Sequence, residues 1–165
     1  MSEDTMPEKI IVFEWEKIDP WKKVLEKNGQ NDYGIYQITG HHPVFGDDSL
    51  LYIGKAQEQT FGERLKQHEE WLENKELDVT VYIGRIASVD DENNKTYHDN
   101  RWRSVVENAE PLLIYFHSPP YNSQHISEVP EPTTELRIIN TGDCGMLYPE
   151  ISHKGLGVYD NKQRP

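Results

Sequence analysis

The alternation of apolar and polar residues is clearest between positions 34 and 56, where it predicts a β-hairpin. Each arm is rich in aromatic and β-branched residues and is bounded by Gly, Pro, Asp or Ser, a composition typical of strands joined by a turn. On the first arm Tyr36 and Ile38 share one face. On the second arm Tyr52 and Gly54 share a face, and Lys55 lies on the opposite face. Each strand therefore presents one tyrosine hydroxyl, and an amine lies close to the second.

The segments before and after this hairpin contain further elements. Residues 10–15 predict a short strand, and residues 20–28 predict a helix with a proline at its first position. Thr60 followed by a glutamate three residues later is a capping box, so a second helix is expected to begin there and to end near residues 74–75. Arg64 and His68 are spaced by four residues, which makes them neighbours on one side of that helix.

The apolar pattern continues in the second half of the chain. Residues 79–86 predict a third strand, and the polar residues 88–100 predict a loop. Residues 101–109 predict a helix with one apolar face, and Pro111 indicates either a kink or the start of a new helical segment. Beyond residue 122 the pattern weakens, with a possible strand at residues 136–139 and loops around it.

Length and composition predict one domain with terminal extensions. The chain has 165 residues, which suits a single core. We expect an N-terminal elaboration over residues 1–32, a core over residues 33–124, and a C-terminal extension with little regular structure over residues 125–165. The formal net charge of −12 argues against a protein that coats nucleic acid independently of sequence.

Cellular location is also constrained by the sequence. We find no apolar run long enough to cross a membrane and no signal-peptide core near the start. The single cysteine, Cys144, excludes an internal disulfide framework. These features predict a cytoplasmic protein that does not act at a membrane.

Two triplets in the hairpin resemble a known signature. Gly34-Ile35-Tyr36 lies on the first strand, and Tyr52-Ile53-Gly54 lies on the second. Together they resemble the motif that gives the GIY-YIG nuclease family its name. The third strand carries a near-copy, Tyr82-Ile83-Gly84, but it follows the first core helix and so is not the second triplet of the motif.

Other positions match the same family over residues 34–122. The family has an arginine early in the next helix, matched by Arg64, and some members add a histidine one turn later, matched by His68. In the family a glutamate follows, and an asparagine comes twelve residues after it. Glu110 and Asn122 are twelve residues apart. A match of two separated segments at the interval found in the family is stronger evidence for the resemblance than either triplet alone.

The resemblance implies both a fold and a reaction. The expected fold class is α+β, a compact α/β sandwich with a three-stranded antiparallel sheet flanked by helices. The expected activity is hydrolysis of DNA phosphodiester bonds with one Mg²⁺ or Mn²⁺ ion. Glu110 would be the ligand of this cation, through the hard oxygen that Mg²⁺ prefers.

The resemblance also implies a role for each matched side chain. Arg64 would bind the scissile phosphate, for which its planar fork is suited. Either Tyr36 or Tyr52 could deprotonate the attacking water, with the other positioning it. Lys55 would stabilise a phenolate or the nucleophile. His68 would help with proton transfer, and Asn122 would brace the site by hydrogen bonds.

Taken one at a time, these residues have simpler explanations. Strand tyrosines are usually packing residues, and His68 lies within the apolar stripe of its helix as a core histidine would. Arg64 could be a surface ion-pair partner, and Glu110 a solvated helix acid. Glu107, one turn earlier, lies farther from the apolar stripe and misses the interval to Asn122.

Two other functions remain open at this stage. The net charge of −12 favours a catalytically inactive binding protein with the same fold. A nuclease that acts on RNA is the other alternative. For the DNA endonuclease, a homodimer is plausible because one site cuts one strand.

Overall fold

A computed structural model describes residues 8–89, 100–129, 131–132 and 135–154 of the chain. Within these residues the main feature is a six-stranded mixed sheet with the order β3-β2-β4-β1-β5-β6. The strands are β1 (Lys9–Ile18), β2 (Gly34–His42), β3 (Gly46–Ala56), β4 (Thr80–Val89), β5 (Leu136–Gly142) and β6 (Glu150–Ser152).

The predicted hairpin is confirmed as β2 and β3. The two strands pair antiparallel, and Tyr36 lies opposite Gly54 in their register. β2 also pairs antiparallel with β4, so Tyr36 lies between Gly54 and Ile83. β3 is the outermost strand on this side of the sheet.

The expected three-stranded sheet flanked by helices is wrong. β1, which comes from the predicted N-terminal elaboration, lies inside the sheet and pairs antiparallel with β4 and parallel with β5. β6 then pairs antiparallel with β5. The error arose because pairing between segments more than 100 residues apart leaves no local pattern. The strand predicted at residues 136–139 is confirmed within β5.

The helices are few, and most are short. A 3-10 helix, Trp21–Glu26, replaces the α-helix predicted over residues 20–28. The helix predicted from Thr60 is divided into α1 (Phe61–Lys66) and α2 (Glu69–Leu72). The capping box is confirmed in part, since the Thr60 side chain accepts a hydrogen bond from the backbone N–H of Glu63.

The long helix α3 (Asn100–His117) runs through Pro111 without ending there. Proline removes one backbone donor from a helix, and in a helix this long the remaining hydrogen bonds and the packing offset the loss. Much of the loop predicted over residues 88–100 falls on residues 90–99, which lie outside the described part of the chain.

The sheet has a hydrophobic core on each face. Ile35 and Ile53 pack with the inner side of α3 in one core. Tyr36 and Ile38 pack in the other with Phe61, from α1. Neighbouring residues of one strand point to opposite faces, so the two helices are held on opposite sides of the hairpin. No helix in the described ranges is long and apolar enough to cross a membrane.

Candidate active site

Tyr36 is fully buried beside the adjacent strand of the hairpin. A Cβ on Gly54 would collide with the Tyr36 hydroxyl and with Cε1 of Tyr52, the latter at 2.8 Å. Only glycine leaves this space, which gives a physical reason for the last residue of the second triplet. Burial raises the pKa of Tyr36, and the neighbouring Tyr52 raises it further. Tyr36 therefore keeps its proton at neutral pH.

Gly34, the first residue of the other triplet, has a similar steric role. A Cβ there would collide with the carbonyl oxygen of Gly84 on the neighbouring strand β4. Its φ of +150° also lies in the region that favours glycine. Gly34 therefore permits the close approach of β4, and Gly54 leaves room for the rings of the two tyrosines.

His68 forms a hydrogen bond with the buried phenol. The Tyr36 hydroxyl and Nε2 of His68 are 3.0 Å apart. His68 lies at the junction between α1 and α2, where the backbone leaves helical geometry. Burial lowers the pKa of His68, and the positive charge of Arg64 lowers it further. A neutral imidazole follows, and in the tautomer that carries its proton on Nδ1, Nε2 accepts the hydrogen bond of the phenol.

Tyr52 completes a cluster of three rings. Its ring centroid lies 6.1 Å from that of Tyr36 and 5.4 Å from that of His68. Tyr52 is half-buried, so it is more accessible to solvent than Tyr36. The two tyrosines thus differ in environment, which the sequence did not reveal.

Two cations line an open cavity of about 420 Å³ at the ends of β3 and α1. Lys55 and Arg64 contribute the positive charge, and Glu58 contributes a carboxylate. Nη1 of Arg64 donates a hydrogen bond to Oε1 of Gln67, at 2.5 Å, and Gln67 donates in turn to Gln59. This chain of amides orients the guanidinium, which suits it to bind an oxyanion.

Glu110, on α3, carries a buried oxygen that lacks a hydrogen bond. Its Oε2 atom has no hydrogen-bond partner among the described residues. Burial raises the pKa of Glu110, while Lys55 and Arg64 oppose that rise. Its negative charge also raises the pKa of Tyr36. Glu110 therefore lies within electrostatic range of the two cations and of the buried tyrosine.

The unpaired oxygen of Glu110 fits a hard divalent cation. Mg²⁺ is commonly held by one or two carboxylates, with water and substrate phosphate oxygens completing its coordination. No group of three or more His, Cys, Asp or Glu side chains suited to a metal occurs in the described ranges. Among the described residues, Glu110 is the candidate ligand for a cation at this position.

Asn122 connects the end of the core to β3. Its Oδ1 accepts a hydrogen bond from the backbone N–H of Ile53 at 3.0 Å, and its Nδ2 donates to the carbonyl of Ile53 at 2.8 Å. The buried side chain thus satisfies both outward backbone groups of the residue between Tyr52 and Gly54. Asn122 therefore positions the strand through its backbone.

Glu107, one turn before Glu110, and the hairpin-loop residue His41 make contacts outside the site. Glu107 is exposed and accepts a hydrogen bond from Gln57. In the hairpin loop, His41 pairs with Asp47. The sequence analysis did not select Gln59 and Gln67 as site residues. Their positions shortly before and after Arg64, near the start of α1, were the signal that could have indicated contacts with it.

No family model, curated protein or solved structure matches this chain. The resemblance to the GIY-YIG family therefore rests on the sequence motifs alone.

Proposed function

We propose that this protein is a metal-dependent endonuclease of the GIY-YIG type that hydrolyses phosphodiester bonds in DNA. One observation carries the proposal: a buried oxygen of Glu110, which has no hydrogen-bond partner in the described part of the chain, lies in electrostatic range of Lys55, Arg64 and Tyr36. These residues come from four separate elements. Phosphodiester hydrolysis needs a proton acceptor, positive charge at the phosphate and a divalent cation, and this cluster offers a candidate for each.

The proton path begins at the attacking water. The half-buried Tyr52 accepts a proton from that water and passes its own hydroxyl proton to the buried Tyr36. The hydroxyl proton of Tyr36 passes in turn to Nε2 of His68, 3.0 Å away. A relay is required because the raised pKa of Tyr36 disfavours a free phenolate. Tyr52, the more accessible phenol, orients the water. The water oxygen bonds to phosphorus, the bond to the 3′ oxygen breaks, and that oxygen takes a proton from solvent, leaving a 5′-phosphate.

The two cations of the open cavity, Lys55 and Arg64, bind the phosphate. Arg64 donates to the nonbridging oxygens through its planar fork, and Lys55 adds a second positive charge. Both stabilise the negative charge that develops in the transition state. Glu110 would hold Mg²⁺ or Mn²⁺, which when bound supplies Lewis-acid stabilisation of the phosphate.

Plasmid nicking tests the proposal. Supercoiled DNA incubated with the protein and Mg²⁺ or Mn²⁺ should become nicked, and Arg64→Ala and Glu110→Gln should each reduce the rate at least ~100-fold. Lys66→Ala and Glu107→Gln are matched controls, since both side chains are exposed on the same helices. Equal rates for the Glu110→Gln and Glu107→Gln variants would contradict the assigned metal ligand.

A catalytically inactive binding protein is the second candidate. The net charge of −12 favours it, because general attraction to phosphates is weak. Inertness of the wild type toward duplex, branched and single-stranded DNA with both metals would support this candidate. A parallel reaction on labelled RNA of the same sequence separates the RNA nuclease from the DNA enzyme.

Two further properties remain proposals. Cutting both strands at one position requires two sites, which a homodimer would supply. The unpaired Cys144 agrees with a reducing compartment, and we propose the cytoplasm as the location.

A further inference from the structure

A groove beside the candidate active site is lined largely by aromatic rings. Its volume is about 420 Å³, within the range of about 300 to 1,000 Å³ that is usual for ligand sites. The lining residues are Tyr52, His68, Trp71, Asn74, Leu77 and Tyr121. Two of them, Tyr52 and His68, also belong to the proton-handling cluster, so the groove and the reacting centre share a wall.

The rings of the groove form a connected series. Trp71 lies 6.3 Å from Tyr52 and 6.3 Å from Tyr121, measured between ring centroids. Tyr121 is 5.9 Å from His42, which stacks on Phe45 at 4.7 Å. Tyr121 is 43% exposed and Phe45 is 67% exposed. Aromatic surface therefore extends from the hairpin loop to the tyrosines of the site.

The shape and chemistry of the groove fit a flat aromatic ligand with polar edges. Ring walls provide stacking surfaces, and Asn74 adds an amide at the rim. Tyr52 and His68 line the groove and also contact the ring of Tyr36. An occupant of the groove therefore lies next to the proposed reacting centre, and we take it to belong to the same molecule as the scissile phosphate. A nucleobase meets both conditions. A base within a duplex is covered on both faces, so the occupant must be unpaired.

The charge of the protein supports the same occupant. A net charge of −12 leaves little general attraction for a phosphate backbone. Stacking of bases on aromatic side chains contributes affinity without relying on phosphate contacts. Such a groove would compensate for the weak electrostatics of this chain.

We propose that this groove binds one unpaired nucleobase next to the scissile phosphate. The preferred substrate is then single-stranded DNA or a duplex with an extruded or unpaired nucleotide. The inference rests on the proposed endonuclease function, because it takes the groove and the reacting centre to hold neighbouring parts of one strand.

Equilibrium binding without metal tests the groove separately from catalysis. Fluorescence anisotropy is measured in EDTA with a labelled single strand, with a strand of the same length that has abasic sites in its middle, and with a fully paired duplex. The single strand should bind roughly 5- to 100-fold more tightly than the other two. Tyr121→Ala should remove this difference, and Tyr121→Phe should retain it because the ring remains.

Tyr148→Ala is the matched control, since Tyr148 is a similarly exposed tyrosine, at 54%, and lies outside the groove. It should bind all three DNAs as the wild type does. Equal affinity for the base-bearing and abasic strands, or for single strand and duplex, overturns the inference. The inference is also overturned if the Tyr121→Ala variant keeps the same preference for the base-bearing single strand as the wild type.

The nicking assay keeps the two proposals distinguishable. If nicking depends on Arg64 but the base-bearing and abasic strands bind equally well, the nucleobase site is refuted and the proposed endonuclease function stands. Base-dependent binding by a protein that cleaves no DNA refutes the endonuclease and supports the groove as a nucleobase site.

Discussion

The properties of single residues at the site depend on burial and on neighbouring charge. Tyr36 and Tyr52 are the same residue type on adjacent strands, yet only Tyr36 is fully buried and hydrogen-bonded to His68. Its raised pKa disfavours a free phenolate and suits the relay role that we propose for it. The chemistry of the motif is thus decided by environment.

A first prediction concerns the acid limb of the pH–rate profile. Proton acceptance requires neutral His68, and burial together with Arg64 lowers its pKa below the ordinary value of 6.5. The pH at which cleavage falls to half its maximum should therefore lie below 6.5. His68→Gln should lower kcat/KM roughly 100-fold and remove this limb. An acid limb centred above pH 7 would exclude His68 as the acceptor.

A second prediction links Glu110 to stability. Because burial raises its pKa in the folded state above the ordinary value of 4.5, ionisation of Glu110 opposes folding at higher pH. Glu110→Gln should match the wild type in stability below pH 4.5 and be more stable than it at neutral pH. Urea denaturation at several pH values measures this, and exposed Glu107→Gln should show no such trend.

A third prediction tests metal binding without activity. Mg²⁺ or Mn²⁺ at ten times its Kd should stabilise the wild type by about 1.4 kcal/mol, or roughly 3 to 6 °C in Tm. Glu110→Gln should lose this increase, because its amide lacks the charge that holds the cation. An equal rise in both proteins would mean that the cation binds elsewhere.

At the scale of elements, packing of the β2–β3 hairpin depends on the room left by glycine as well as on backbone hydrogen bonds. The phenol of Tyr36 lies against Gly54 because no Cβ fills that position. Segment 121–122 then lies along the outer side of β3, where the N–H of Tyr121 donates to Leu51 and Asn122 bonds to Ile53. An edge strand is otherwise open to unwanted pairing, and this segment covers it beside the site.

A fourth prediction concerns that covering segment. Asn122→Ala would leave both backbone groups of Ile53 without partners, at a cost of about 2 kcal/mol. Asn122→Asp should be no better at neutral pH, since a carboxylate oxygen would face the Ile53 carbonyl. Chemical denaturation measures both, with exposed Gln124→Ala as the control. A loss below ~0.5 kcal/mol for Asn122→Ala would contradict this role.

At the scale of the whole molecule, ion pairs connect segments that are distant in sequence. Arg85 on β4 bonds to Glu16 on β1 at 2.8 Å and to Asp32 before β2 at 2.6 Å. Burial by itself raises the pKa of Asp32, but hydrogen bonds from Arg85 and from the Gly29 N–H outweigh this and lower it. The network fixes the start of the motif hairpin against the central strands.

A fifth prediction follows for acid unfolding. A lowered pKa means that Asp32 stabilises the fold above its ordinary pKa of 3.8, and that this stability is lost as the pH falls through the folded-state value. Asp32→Asn should therefore cost about 1 to 2 kcal/mol at neutral pH and nothing in strong acid. Exposed Glu70→Gln is the control, and pH-dependent thermal unfolding is the measurement.

The sequence by itself determined the local elements and the candidate residues. Period-two alternation predicted β2 and β3, and the capping box at Thr60 predicted a helix start. Motif spacing selected Tyr36, Arg64 and Glu110, because residue type and interval are properties of the chain alone. These features depend on neighbours within a few residues or on recognisable spacing.

The tertiary structure alone decided the sheet and the state of each site group. β1 pairs with both β4 and β5, and such long-range pairing has no local pattern. Burial of Tyr36, the neutral state favoured for His68 and the unpaired oxygen of Glu110 depend on atoms from other elements. Solvent exclusion and electrostatic neighbours arise only when distant segments meet, so they could not be read from the order of residues.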